Sequence, residues 1–216
     1  MRALLAILRK DLTIEGRARE LAPSMAVLAL LLLTAGSASG MVNAAPAMLW
    51  ITLLVAASLG LARSFHQELD QDQLSALVLA PINPVLIYVG KGIANLLVMI
   101  AVEGVTLFAF TILYNVGVPR EPGALALVLL LGTAGIVMLG TLLGAMVAVA
   151  RTREVLLPVL LLPLAVPLLV AAVRATEKVL AGQGIAAVSS EVGVLASFAL
   201  LFGAAPVVLF EFVVRE

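Results

Sequence analysis

The chain has a single histidine, no cysteine, and thirteen acidic residues against thirteen Lys and Arg. Without cysteine there are no disulfides, thiolate metal sites, CxxC redox centres or covalent haem attachments. His66 has no second imidazole to join it, and a metal site needs several convergent donors, so it reads as a surface histidine. The one Gly-Lys pair, Gly90-Lys91, is not a phosphate loop, because Val85 stands where the first glycine is required. Any ATP hydrolysis therefore belongs to another polypeptide. No Ser/His/Asp set is apparent, no directly bound cofactor is expected, and zero net charge gives no argument for a nucleic acid partner.

Two places remain where side chains could act. Glu103 is the one ionisable residue deep in an apolar stretch, and acids inside a membrane are by default functional candidates, here for a translocation path. The plainer alternative is a carboxyl group near enough to the outer surface to reach water, since hydropathy gives depth only by inference. Glu154 and Glu211 lie near helix ends and read as interfacial.

The second place is residues 63–80, too polar to span a membrane and too apolar for a floppy loop. Ser64 and Gln67 have capping-box spacing, and Glu68, Asp70 and Asp72 fall early, where a helix amino end favours negative charge. Pro81 stops the run, and Pro84 can start the next helix. The pattern predicts a short helix over residues 64–81 whose later face shows Leu74, Leu77, Val78 and Ala80.

The elements that must position these residues are membrane spans. The chain is 63% hydrophobic and 12% charged, whereas a soluble domain is about half apolar and a quarter charged. A spanning helix needs roughly 20 mostly apolar residues. Six stretches qualify: about Leu21 to Gly40, Ala44 to Ala62, Pro84 to Tyr114, Gly123 to Ala150, Val155 to Val173 and Val192 to Val214. The expected fold is all-α and polytopic, one transmembrane domain over residues 1–216. The basic start and the small-residue run at 35–40 have the outline of a secretory signal, but the basic region is too long and more membrane follows.

Short-loop Lys and Arg set orientation. If six helices alternate, Arg2, Arg9, Lys10, Arg17, Arg19, Arg63, Lys91, Arg151, Arg153 and Arg215 share one face, leaving Arg120, Arg174 and Lys178 on the other. Both termini are therefore expected in the cytoplasm. Leu5, Leu8 and Leu12 at helical spacing among basic residues suit an amphipathic helix in the inner headgroup layer over residues 1–20, or equally a plain basic tail.

Within the spans, Gly132, Gly140 and Gly144 form a small-residue stripe that lets backbones approach closely, inside one subunit or across a homodimer seam. Pro158, Pro163 and Pro167 each remove a helical hydrogen bond, so the fifth helix should bend and hand the freed carbonyls to a neighbour or to water.

The run RSFHQELDQDQLSALVLAPINPVLIYVGK resembles the segment of ABC-2-type transporter permeases in which an acidic residue precedes a Leu-rich helix, a Pro turn and a Gly-Lys pair. The likeness extends to the haem exporter protein B (CcmB) family of the cytochrome c maturation system. It covers LRKDLTIEGRARE at Leu8 to Glu20 and the Pro-rich block from Leu125 to Ala172, its most specific part. Asp72 departs from the pattern, standing where a glycine is common.

The resemblance implies that residues 64–81 are a coupling helix docked on a CcmA-like ATPase subunit through Phe65, Glu68, Leu69, Leu74, Leu77, Val78 and Pro81. It further implies a bacterial cytoplasmic membrane location, with ATP bound by that partner and haem handled by CcmC-, CcmD- and CcmE-like proteins. Haem ligation would use His, Cys, Met or Tyr; cysteine is missing, His66 is on the wrong side, and with Trp50 the one tryptophan the Trp-rich haem-handling motif of the partner subunits is absent, so no haem site of its own is expected. The rival readings are an ABC-2 exporter for a lipid or drug and a non-transporting scaffold for membrane assembly.

Overall fold

The computed structural model describes residues 21–38, 40, 44–70, 84–117, 119–147 and 153–213. The expected amphipathic segment over residues 1–20 lies outside them, as do residues 71–83 and the side chains of 63–70, 154 and 211. Among the described residues every regular element is helical: α1 (Leu21–Ala38), α2 (Ala45–Asp70), α3 (Pro84–Leu113), α4 (Pro122–Val147), α5 (Arg153–Leu180), a 3-10 turn (Ile185–Val188) and α6 (Ser189–Val213). Pro84 and Pro122 open α3 and α4, where the missing N–H costs nothing.

Five of these helices are long and apolar enough to cross a membrane, so the chain is a polytopic membrane protein. The shorter α1 has 18 residues, about 27 Å of rise against a hydrocarbon core of about 30 Å. Its apolar stretch, Ala22–Ala38, falls just below the length of a span.

One end of the bundle is closed by left-handed caps. Gly182 (φ +81°) ends α5 in a Schellman turn, its N–H donating to Val179 O and that of Gln183 to Lys178 O, both at 3.0 Å. Asn115 (φ 49°) does the same for α3, with Val116 N donating to Thr111 O. Cross-contacts show that these loops share one end: Ser37 Oγ donates to Leu113 O at 3.2 Å, and Ile185 N donates to Glu121 Oε2 at 3.0 Å. Lys178, on the last turn of α5, pairs with Glu191 at 2.7 Å and reaches Ala187 O at 3.0 Å, tying α5 to α6.

Two helices form the centre. Of the spanning windows, 67% of α2 and 61% of α4 is buried, against 11% for α6. A Cβ on Gly132 would collide with the ring of Trp50 on α2, one on Gly140 with Leu61 Cδ1 on α2, and one on Gly135 with Leu168 Cδ1 on α5. The stripe thus seats large side chains of neighbouring helices within the same chain. Gly144 is buried on the same helix.

In α5 the helix runs unbroken through Pro158, Pro163 and Pro167. Leu157, Leu161, Ala165, Leu168, Ala172 and Ala175 make a narrow buried stripe. Pro163 and Pro167 lie on the opposite, exposed face, and Pro158 is half-buried. The carbonyls they release, four residues back, include that of Val159, itself 58% exposed. Val159 and Pro163, which carry two of these carbonyls, stand on the exposed face of α5.

Two further expectations need correction. The second span covers Ala45–Ala62 much as expected, but its helix runs on to Asp70, so Ser64 lies inside a helix and not at an amino end. Local capping chemistry lost to continuation, because Leu61 and Ala62 are still packed in the core and the turn beyond them extends the same helix. Lys91, grouped with the basic residues of the cytoplasmic face, is instead buried in α3 at 6% exposure.

Candidate functional site

The buried polar groups converge on α3. Tyr88, Lys91, Asn95, Glu103 and Thr106 are all buried, and spacings of three, four and eight residues put the first four on one helical face. In lipid such groups need partners within the protein, and α4 supplies most of them. Thr133 Oγ1 donates to Glu103 Oε2 at 2.8 Å, and Asn95 Nδ2 donates to Thr141 Oγ1 at 3.3 Å. The Tyr88 hydroxyl lies 3.0 Å from the carbonyl oxygens of both Met138 on α4 and Phe202 on α6. The result is a polar seam along α3 and α4. An antiparallel pairing generates it: eight residues separate Asn95 from Glu103 on α3, and eight separate Thr133 from Thr141 on α4.

Glu103 lies toward the capped end of this seam, yet well inside the span. It is 7% exposed, and the capped end of α3 at Leu113 is about 15 Å away along the axis at ~1.5 Å per residue. Thr133 lies about as far from the start of α4 at Pro122. The carboxyl group is therefore held in the bundle interior, by a hydroxyl on the neighbouring helix.

A second polar tie crosses the centre beside it. Trp50 Nε1 donates to Thr176 Oγ1 at 2.9 Å, and Thr176 Oγ1 in turn donates to Ala172 O at 2.8 Å. Trp50 is fully buried, wedged over Gly132, the residue before Thr133. One side chain so links α2, α4 and α5 at the level of the acid. Glu103 and Gly132 stand out in the sequence, whereas neither threonine does and Trp50 is notable there only as the one tryptophan, lying early in the second span.

Of the docking residues, Phe65, Glu68 and Leu69 fall on the helical extension of α2, while Leu74, Leu77, Val78 and Pro81 lie outside the described residues. No group of three or more His, Cys, Asp or Glu side chains capable of holding a metal occurs among the described residues.

Comparison with known proteins places this architecture in a family. A family model described as CcmB protein matches residues 2–213. A relative named Heme exporter protein B, from Bradyrhizobium diazoefficiens, is 32% identical over 142 residues, 63% of this chain. The matched region spans 61% of that relative's length.

Proposed function

The chain belongs to the CcmB protein family, and on that premise we propose that it is the membrane-spanning subunit of an ABC-type complex for haem export in cytochrome c maturation. The observation that carries this reading is a family match over nearly the whole of a chain whose helices are built to cross a membrane. In this account α1 is the sixth span and the permease is of the ABC-2 type, sitting as a homodimer in the bacterial cytoplasmic membrane. The capped end, which holds Arg120, Arg174 and Lys178, faces outward, and both termini are cytoplasmic, because nine of the thirteen basic residues then lie inside, with Lys91 buried near the opposite end of α3.

A separate ATPase binds and hydrolyses ATP, and residues 64–81 pass its motion to the helices. The work done is export of haem or release of a haem-loaded chaperone, with haem itself held by CcmC-, CcmD- and CcmE-like partners. The continuation of α2 to Asp70 supports a mechanical version of the coupling: a push on residues 64–70 is delivered directly to the helix that carries Trp50 and packs on α4. A rigid helix transmits displacement where a hinged loop absorbs it.

Purification of the chain from its native membrane in mild detergent, with identification of every associated subunit, tests the proposal. An ABC ATPase together with haem-handling membrane proteins is expected. An ATPase without cytochrome maturation proteins would replace haem by another exported substrate, and no ATPase at all would turn the chain into an assembly scaffold.

A further inference from the structure

Glu103 meets a polar partner on one side only. Thr133 donates to Oε2, and among the described residues no basic side chain stands opposite the carboxyl group. On the elements packed against α3, the described part of α1 has no ionisable residue and α4 has none over its whole length. Those of α2 (Arg63, His66, Glu68, Asp70) cluster at its far end, past the core residue Leu61. On α6, Glu191 is engaged with Lys178 at the capped end, and Glu211 lies in the last turn. On α3 itself the next ionisable group is Lys91, about 18 Å down the axis at ~1.5 Å per residue, with Tyr88 beyond it. Neighbouring hydroxyls and N–H groups are already used: Thr106 donates to Val102 O at 2.7 Å, and Trp50 donates to Thr176.

A nearby cavity is apolar as well. Between α1, α2, α3 and α4 lies a cavity of about 20 Å³, lined by Met25, Gly60, Asn95, Met99 and Val137 among others, and Met99 is one turn from Glu103. The space could admit one water, but its lining is almost wholly apolar, with Asn95 the one polar side chain, and a buried water needs two to four polar partners. A carboxylate placed here, 7% exposed and facing no basic side chain among the described residues, would be largely stripped of water without a counter-ion, the arrangement that membrane interiors penalise most. A neutral carboxylic acid accepting one hydrogen bond fits the same space without that penalty.

We propose that Glu103, with Thr133, is a proton-binding site: the carboxyl group holds a proton while α3 and α4 pack as they do here, and releases it to water when the seam opens. The second half rests on the transporter reading, in which the helices move through a cycle. The closed seam binds the proton more tightly than the open one, so acidification favours closure, by up to about tenfold in the closed-to-open ratio per pH unit. Both steps are proton transfers between the carboxyl group and water, and they need no other reactant.

Infrared spectroscopy of the full chain in lipid nanodiscs tests the first half independently of any transport activity. At neutral pH the wild type should show a protonated-carboxyl C=O band that Glu103→Gln abolishes. Thr133→Val should shift this band to higher wavenumber, because the acceptor loses its donor. Identical spectra for wild type and Glu103→Gln in this region, or a band indifferent to Thr133→Val, would overturn the site. Should Glu103→Gln fail to accumulate, Thr133→Val alone reads the same band. For the second half, ATP turnover of the assembled complex should depend on pH in the wild type and lose that component in Glu103→Gln. A pH profile unchanged by the substitution sinks the opening step even where the infrared band stands.

Discussion

The spanning stretches of α4 and α5 are similarly apolar and each 26 residues long, yet one is central and the other peripheral. On α4 the glycines at 132, 135 and 140 form sockets into which Trp50, Leu168 and Leu61 fit. On α5 the bulk is kept: Val155, Val159, Leu162, Leu164, Val166 and Val170 all stand exposed around a thin buried stripe. Hydrophobicity cannot sort the two, because lipid is as apolar as leucine and burial within a bundle gains nothing from it. Side-chain size sorts them. Small residues admit neighbours to van der Waals contact, and large ones hold neighbours off.

The comparison is broken most severely at Gly132. Gly132→Leu should cost about 3 kcal/mol or more by overpacking against Trp50, seen as loss of folded protein in a detergent-unfolding titration. Gly132→Ala and Trp50→Phe should be coupled, with the double variant less destabilised than the singles predict, by about 0.5–3 kcal/mol. Strict additivity would show that the ring does not rest on that glycine. Thr176→Val sharpens the account on the polar side. It strands the Trp50 N–H and should lower the unfolding midpoint by an amount equivalent to roughly 0.6–1.7 kcal/mol, the range for interhelical hydrogen bonds in membranes. The smallest effects belong to the outward faces. Leu200→Ala on α6 and Phe108→Ala on α3, at residues 71% and 70% exposed, should change subunit stability by less than about 0.5 kcal/mol. A large loss at either would mean that the face is covered by protein instead of lipid.

Spans were legible because a run of about 20 apolar residues fits a bilayer better than any water-soluble packing, and five of the six expected stretches have the requisite length at matching positions. Their ends were less so. The fifth was expected to close near Val173 but reaches Leu180, since Arg174 and Lys178 look like loop charges until Lys178 finds Glu191 across the turn. Ser64 misled in the opposite sense, its capping spacing being a local signal that a continuing helix overrode. Glu103 stood out by type alone. Its partner Thr133 could not be read, because one threonine in a span looks like another until the register of α3 on α4 is known. Trp50 and Thr176 meet across 126 residues of sequence, a pairing that no local pattern encodes.

A membrane subunit driven by a separate ATPase through residues 64–81 should be sensitive to a charge at Leu77. On the sequence pattern Leu77 lies on the apolar face of that segment and outside the spans, so Leu77→Asp should leave membrane insertion intact. An unpaired carboxylate forced into an apolar groove on the ATPase should cost several kcal/mol, and each 1.4 kcal/mol is about tenfold in affinity. Gln71→Ala, on a polar position, is the control, since rim contacts contribute little. With both variants at equal membrane levels beside the ATPase, Leu77→Asp should lose the co-purified ATPase and cytochrome c production, and Gln71→Ala should keep both. Full retention of the ATPase and normal cytochrome c maturation by Leu77→Asp would contradict the account.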